Sequence, residues 1–121
     1  MNISDSQETY LKAIYQISLD KEKVRKVDIA NVLGISKPSV TNAVNRLLAI
    51  GLVTVDKKKG VSLTEDSRRH VEKTLSRYNA LVDLLVANGV DETRSKEVAV
   101  NLEHAVDDDI YDLIMKNVKK V

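Results

Sequence analysis

Hydrophobic residues recur every three to four positions along the first 50 residues, which predicts three amphipathic helices, over residues 6–19, 27–33 and about 36–50. The third helix is expected to end at Gly51, because a glycine directly after a periodic run commonly takes the left-handed conformation that stops a helix. The positions expected on the buried faces of these helices are Tyr10, Leu11, Ile14, Ile17, Ser18, Ile29, Ala30, Leu33, Val40, Ala43, Val44, Leu47 and Leu48.

The period changes after Gly51. In residues 52–64, LVTVDKKKGVSLT, apolar residues alternate with polar ones on both sides of a turn rich in lysine, and this alternation predicts a β-hairpin. Helical patterns then return, from Glu65 to Asn88, from Asp91 or Thr93 to about His104, and from Asp107 to Val118. The chain is therefore predicted to be mostly α-helical, with one hairpin between two groups of helices.

The spacing of small and apolar residues around Gly34 fits a helix-turn-helix. This motif needs a small residue in its first helix, a left-handed residue in the turn and an apolar residue that holds the second helix in place. Ala30, Gly34 and Val40 stand at these positions. The residues expected to complete the contacts between the two helices are Ile29, Leu33 and Ile35.

The second helix of this motif has the residues of a helix that reads DNA. Ser36 is expected to cap it by accepting a hydrogen bond from the amide of Ser39, and Pro38 fits its first turn, where no amide donor is needed. Serine and threonine suit phosphates and bases, asparagine binds adenine, and lysine and arginine bind phosphate or guanine. The residues expected to be exposed for such contacts are Lys37, Ser39, Thr41, Asn42, Asn45 and Arg46. The alternative is that they form only the solvated face of an amphipathic helix.

The hairpin directly after this helix is interpreted as the wing of a winged helix-turn-helix. Its tip carries Lys57, Lys58 and Lys59, which are expected to contact phosphates or a minor groove.

Two domains are predicted, a DNA-binding domain over residues 1–64 and a helical dimerisation domain over residues 65–121. A single winged helix covers little DNA, so specific binding normally uses a two-fold dimer on a palindromic operator in double-stranded DNA. The apolar residues predicted for the homodimer interface are Leu81, Leu84, Leu85, Val98, Leu102, Leu113 and Ile114. The alternative is that they only cover the core of one chain.

Composition narrows the function further. The 121 residues include no cysteine, which excludes disulfides and thiolate chemistry and fits a cytoplasmic location. Residues 1–63 carry ten basic and six acidic side chains, a net charge of +4, whereas residues 64–121 carry nine and twelve, a net charge of −3. The first half is therefore the one expected to bind a polyanion. We expect no membrane span and no secretory signal. We also expect no enzyme, since the sequence offers no nucleophile with a neighbouring base.

Four segments, ETYLKAIYQI, VRKVDIANVLGISKPSVTNAVNRLLAIGLV, GVSLTEDSRR and NLEHAV, resemble the iron- and manganese-dependent repressors of the diphtheria-toxin-repressor type. The resemblance covers almost the whole chain, and the length is similar to that of the shorter manganese-regulator branch. It implies a homodimeric winged-helix transcriptional regulator, a repressor, with Mn²⁺ or Fe²⁺ as the family's cofactor. The residues it implies at the DNA are Ser36, Lys37, Pro38, Ser39, Thr41 and Asn42.

The metal ligands of that family are only partly present. The resemblance places them on the first helix, on the long helix after the hairpin and on the helix with a Glu-His pair. Four of those positions hold other residues, and only Glu103 and His104 remain; the replacements are Thr9, Lys12, Tyr78 and Val100. Because Mn²⁺ and Fe²⁺ bind about six oxygen or nitrogen donors, and an ammonium group repels a dication, no cofactor is expected.

Two other functions stay open at this point. Asp5, Glu8 and Glu97, together with His104, are candidates for a relocated metal site, which would keep a metal-responsive repressor. Alternatively, the winged helix is a module that binds another protein in place of DNA.

A salt bridge is the hypothesis that gives a metal-independent regulator. If Lys12 packs where the family has its glutamate, it can pair with Glu103 and tie the first helix to the dimerisation helices, as the metal does in the family. His70 lies among charged residues, and we assign it no role.

Overall fold

The computed structural model describes residues 3–118, which form six helices and one hairpin. The elements are α1 (Asp5–Asp20), α2 (Lys26–Leu33), α3 (Lys37–Ala49), β1 (Val53–Asp56), β2 (Gly60–Leu63), α4 (Glu65–Ala87), α5 (Glu92–Ala105) and α6 (Asp108–Val118). The predicted fold, a winged helix-turn-helix followed by helices, is confirmed, and each predicted helix and the hairpin is present.

The chain divides into two compact units, Met1–Val71 and Glu72–Val121, and α4 passes from one into the other. The predicted division into a DNA-binding domain over residues 1–64 and a dimerisation domain over residues 65–121 stays a prediction. None of the helices in the described residues is long and apolar enough to cross a membrane.

The core of the first unit is formed by the inner faces of α1, α2 and α3 together with buried residues of the hairpin. Its fully buried side chains include Leu11, Ile14, Ile29, Val40, Val44, Leu47 and Val53. Three expectations are wrong: Ser18 is exposed, and Ile35 and Leu48 keep 36% and 45% of their surface exposed. Ile35 lies in the turn and Leu48 in the last turn of α3, where neighbouring elements no longer cover the helix surface.

A single residue of the chain before α2 extends the hairpin. β1 and β2 pair antiparallel, with Val53 opposite Leu63 and Asp56 opposite Gly60. Val24 forms a parallel bridge beside Gly60: its amide donates to the Lys59 carbonyl at 3.1 Å, and its carbonyl accepts from the Val61 amide at 2.9 Å. The hairpin is therefore anchored to the segment between α1 and α2.

The start of α4 is joined to the loop that precedes the hairpin. The buried Ser67 hydroxyl donates to the Leu52 carbonyl at 2.7 Å and lies 3.0 Å from the Thr64 hydroxyl. Because the Leu52 carbonyl also accepts from the Thr64 amide at 3.2 Å, the first turn of α4 has a fixed place in the first unit.

The second unit consists of most of α4 with α5 and α6. Arg77 of α4 stacks on the ring of Tyr111 of α6, at 4.6 Å from the ring centroid, and its guanidinium also pairs with Asp108. This pair holds the pKa of the Asp108 carboxyl below its usual value. Leu81, predicted for a dimer interface, is fully buried within the chain, whereas Leu113 is 59% exposed.

Candidate nucleic-acid interface

The turn of the helix-turn-helix has the predicted local geometry. Gly34 adopts φ +66°, the left-handed conformation that lets α2 end and the chain reverse. Ser36 caps α3, accepting a hydrogen bond from the Ser39 amide at 3.3 Å, and the two hydroxyls lie 2.8 Å apart. Pro38 lies in the first turn of the helix. The helix start is therefore fixed by residues that also face solvent.

The polar side chains of α3 lie on its outer face. Lys37, Ser39, Asn42, Asn45 and Arg46 are exposed, as are Ser36 and Pro38, and Thr41 is half-buried. The opposite face, with Val40, Ala43, Val44 and Leu47, is buried in the core. A rigid, buried inner face holds the polar outer face in one orientation, which is the arrangement that a recognition helix needs.

The lysines of the hairpin tip are presented by an ordered turn. The Asp56 carboxylate accepts hydrogen bonds from the amides of Lys58 and Lys59, at 2.8 and 2.6 Å. Lys57, Lys58 and Lys59 are all exposed. The tip therefore offers three ammonium groups on a backbone that its own aspartate stabilises, and the hairpin can serve as a basic wing.

Asp28 fixes the start of α2. Its buried carboxylate accepts from the Lys21 ammonium at 2.9 Å and from the Arg25 amide at 3.0 Å. The hydrogen bond from Lys21, followed by that from the Arg25 amide, holds the pKa of the Asp28 carboxyl below its usual value. Since α2 carries the small residue Ala30 against α3, this network supports the geometry of the whole motif.

Three basic residues that sequence reasoning missed lie next to the recognition surface. Lys23, Arg25 and Lys26, from the segment before α2 and its first residue, line a cleft of about 340 Å³ with Lys37 of α3. In the sequence, DKEKVRK mixes both charge signs and looks like an ordinary solvated connector. The bridge between Val24 and Gly60 places this segment beside the hairpin, and the sequence gives no sign of it.

The donors for a divalent metal are not assembled. No group of three or more histidine, aspartate and glutamate side chains that could hold a metal ion occurs within residues 3–118. Glu103 is half-buried, and its carboxylate lies 3.8 Å from the imidazole of the exposed His104. Lys12 is half-buried, and its predicted pair with Glu103 stays a prediction.

His70 has a partner that sequence reasoning did not find. Its Nε2 lies 2.8 Å from Oε2 of Glu8, with the two side chains only 28% and 16% exposed. A carboxylate only accepts, so Nε2 of the imidazole donates this hydrogen bond. His70 is therefore not simply a solvated side chain: it joins α4 to α1 in the first unit, and Glu8 is engaged in this contact.

The comparisons with known proteins agree with this architecture. Residues 2–61 match the family model described as "Iron dependent repressor, N-terminal DNA binding domain". An uncharacterized HTH-type transcriptional regulator of Methanocaldococcus jannaschii, MJ0568, is 32% identical over 112 residues, which cover 91% of this chain and 90% of that protein. The HTH-type transcriptional regulator MntR of Shouchella clausii is 29% identical over 90% of this chain and 76% of that protein.

A solved structure of a regulator is also similar to this chain. The crystal structure of ScaR with bound Zn²⁺ has a TM-score of 0.76 and 31% identity, over 93% of this chain and 53% of that chain. The chain thus spans about half the length of this solved relative. With the geometry of α3 and the wing, these similarities show that the chain belongs to the iron-dependent repressor family of helix-turn-helix transcriptional regulators, in its manganese-regulator branch.

Proposed function

We propose that the protein is a homodimeric, sequence-specific repressor of transcription that binds a palindromic operator with α3 and the hairpin. The observation that carries this proposal is the exposed polar face of α3, held by a capped start and a buried opposite face beside the lysine tip. The residues proposed to contact DNA are Ser36, Lys37, Pro38, Ser39, Thr41, Asn42, Asn45, Arg46, Lys57, Lys58 and Lys59.

These residues divide by chemistry. Asn42 and Asn45 are exposed on successive turns of α3 and are proposed to read base edges, since an asparagine amide matches the donor and acceptor of adenine. The hydroxyls of Ser36 and Ser39 hydrogen-bond to each other, and the Ser36 hydroxyl also accepts from the Ser39 amide. Because these contacts fix the start of α3, the two serines are proposed to position α3 against phosphates. The wing lysines supply charge that does not depend on sequence.

We propose further that operator binding needs no metal. Two ligand-type residues, Glu103 and His104, remain at the family's site, and a lysine stands where a dication would have to bind. In place of the metal, a Lys12–Glu103 salt bridge is proposed to tie the first helix to the helices after the wing. An ion pair of this kind contributes a net free energy of only a few kcal/mol, but that is enough to shift the equilibrium between two domain arrangements.

A metal-responsive repressor is the second candidate, and the relatives favour it. ScaR was solved with bound Zn²⁺, and two further chains in the comparison are a "Manganese-dependent transcriptional repressor complex with manganese" and "the manganese regulator SloR". For this chain it would require ligands among Asp5, Glu8, Glu97 and His104, of which Glu8 also pairs with His70 through one carboxylate oxygen.

Fluorescence anisotropy with duplex DNA from upstream of the protein's own gene tests both candidates. Binding is measured in EDTA and in excess Mn²⁺, each at two salt concentrations. Equal and salt-sensitive affinity in both conditions supports the metal-independent regulator. Binding only with Mn²⁺ supports the second candidate. The absence of salt-sensitive binding to this duplex and to random duplexes, with or without Mn²⁺, contradicts DNA binding and favours the protein-binding module.

A further inference from the structure

Four basic residues surround one cleft on the wing side of α3. Lys23 and Arg25 flank Val24, Lys26 begins α2, and Lys37 begins α3. The remaining lining residues are apolar or glycine: Val24, Val27, Val55, Gly60 and Val61. We call this the basic cleft. Its lining thus combines cationic and apolar side chains, and Val27 and Val55 are 40% and 47% exposed.

Three of the four cations of the basic cleft lack carboxylate partners among the described residues. Lys23, Lys26 and Lys37 form no ion pair with any residue of the described range, and no acidic side chain lines the cleft. Arg25 alone has an acidic neighbour, since its Nε lies 3.6 Å from the Asp28 carboxylate. By contrast, two other clefts of this unit that contain lysine also contain carboxylates, Glu22 in one and Asp20 with Asp28 in the other.

The walls that carry these cations are fixed by backbone contacts. Val24, between Lys23 and Arg25, exchanges backbone hydrogen bonds with the hairpin at 3.1 and 2.9 Å. Lys37 directly follows the helix cap Ser36. Like charges held close together repel each other, and this repulsion is relieved when a polyanion enters and releases its counterions. The cleft is thus preorganised for an anion with several charges.

We propose that the basic cleft receives successive backbone phosphates of the DNA strand that passes between α3 and the wing. Lys23, Lys26 and Lys37 are the phosphate-binding residues, and the exposed faces of Val27 and Val55 contact the deoxyribose between phosphates. This inference rests on the proposed DNA binding and extends the contact surface beyond α3 and the wing tip. Because the cleft contacts only the DNA backbone, its contribution to affinity is the same for every DNA sequence.

The test compares the double variant Lys23→Gln/Lys26→Gln with a control of equal charge, Lys96→Gln/Lys116→Gln, whose residues are exposed on α5 and α6. Affinity is measured at four salt concentrations on the upstream duplex and on a random duplex of the same length. Each lost phosphate contact reduces the steepness of log affinity against log salt by about 0.9, and the cleft variant lacks two lysines in each protomer of the proposed homodimer, so a reduction of about 3.6 is expected on both duplexes. The control is expected to keep the wild-type slope.

Four results would overturn the proposal. An unchanged slope in the cleft variant, with salt-sensitive binding by the wild type, refutes the cleft and leaves the proposed function intact. A loss confined to the upstream duplex means that these lysines read sequence or shape. If inorganic phosphate shifts the NMR signals of the Val27 and Val55 methyl groups but duplex DNA does not, the cleft is a site for free anions. A wild type that binds no duplex at all refutes the proposed function and this inference together.

Discussion

Gly60 lies directly against the carbonyl group of Val24, so closely that a Cβ atom at position 60 would overlap the Val24 oxygen. Gly60 also has φ +70°, a conformation that costs other residues about 1–2 kcal/mol. We therefore expect Gly60→Ala to combine backbone strain with a clash that separates the hairpin from the segment before α2. Urea unfolding should show a loss of roughly 2–5 kcal/mol, the sum of this strain and an overpacking penalty.

Gly51→Ala is the matched control for this change. Gly51 has φ +79°, but no atom lies within 4 Å of the place where its Cβ would be. It should therefore show the conformational cost alone, about 1–2 kcal/mol. Equal losses of stability in the two variants would contradict the role of the Val24 contact.

Ser36→Ala and Asn42→Ala should differ in their effect on stability. Ser36→Ala removes the cap of α3 and should lower the free energy of unfolding by about 1 kcal/mol. Asn42→Ala alters an exposed side chain, so stability should stay within about 0.5 kcal/mol while preference for the operator falls. Thermal unfolding and competition binding with a mutated operator measure the two effects. If Asn42→Ala weakens binding to every sequence equally, Asn42 does not read bases.

The first unit was predictable because its residues obey local rules. Ala30, Gly34 and Val40 have the spacing that a helix-turn-helix requires, and Ser36 followed by Pro38 has the pattern of a capped helix start with proline in the first turn. Periodicity failed at Ile35 and Leu48, since the exposure of an apolar residue at an element's end depends on which neighbours reach it. Those neighbours are set by the tertiary arrangement, which no local pattern encodes.

The candidate site was predictable only where its residues are adjacent in sequence. The wing lysines are consecutive, whereas Lys23 and Lys37 line one cleft although they are distant in sequence, and the one-residue bridge of Val24 beside them leaves no periodic signal. The contact between Glu8 and His70 spans 62 residues and was missed for the same reason. Long-range pairs of charged side chains depend on the fold, and each residue by itself looks like part of a solvated face.

Stability should depend on pH through Asp28. The folded-state pKa of this carboxyl is depressed, chiefly by the hydrogen bond from Lys21, while its unfolded value is about 3.9. The stabilisation is therefore fully present above about pH 5 and is lost as pH falls through 3.9 towards the folded pKa. Asp28→Asn should cost about 1–3 kcal/mol at pH 7, and its difference from wild type should shrink below pH 4. Urea unfolding at pH 7 and at pH 3 measures both values.

Asp20→Asn provides the comparison for that measurement, because Asp20 is an exposed carboxylate at the end of the neighbouring helix α1. Its stability should differ from wild type by less than about 0.5 kcal/mol at pH 7. A constant difference between Asp28→Asn and wild type across this pH range would mean that the variant acts through shape, with no contribution from charge.

The contact of His70 with Glu8 should contribute to the stability of the first unit. His70 donates to one oxygen of this half-buried carboxylate, whose other oxygen is buried without a hydrogen-bond partner. His70→Ala therefore leaves the carboxylate without this donor and should cost about 1–3 kcal/mol at pH 7. Adding Glu8→Gln should recover part of this loss, because a neutral amide is easier to bury than a carboxylate. Strictly additive losses in this double-mutant cycle would show that the two residues do not interact.

Charge reversal tests the proposed tie between Lys12 and Glu103. In EDTA, Lys12→Glu should weaken operator binding at least about tenfold, which corresponds to 1.4 kcal/mol, because it places two carboxylates together. Glu103→Lys alone should weaken binding similarly, and the double variant Lys12→Glu/Glu103→Lys should recover most of the affinity, since the pair is restored with its charges exchanged. Lys12→Glu also returns a ligand-type residue to the first helix. Its binding should therefore be compared with and without Mn²⁺: recovery by Mn²⁺ would show that the ammonium group alone had excluded the metal, and full affinity of Lys12→Glu in EDTA would rule out the tie.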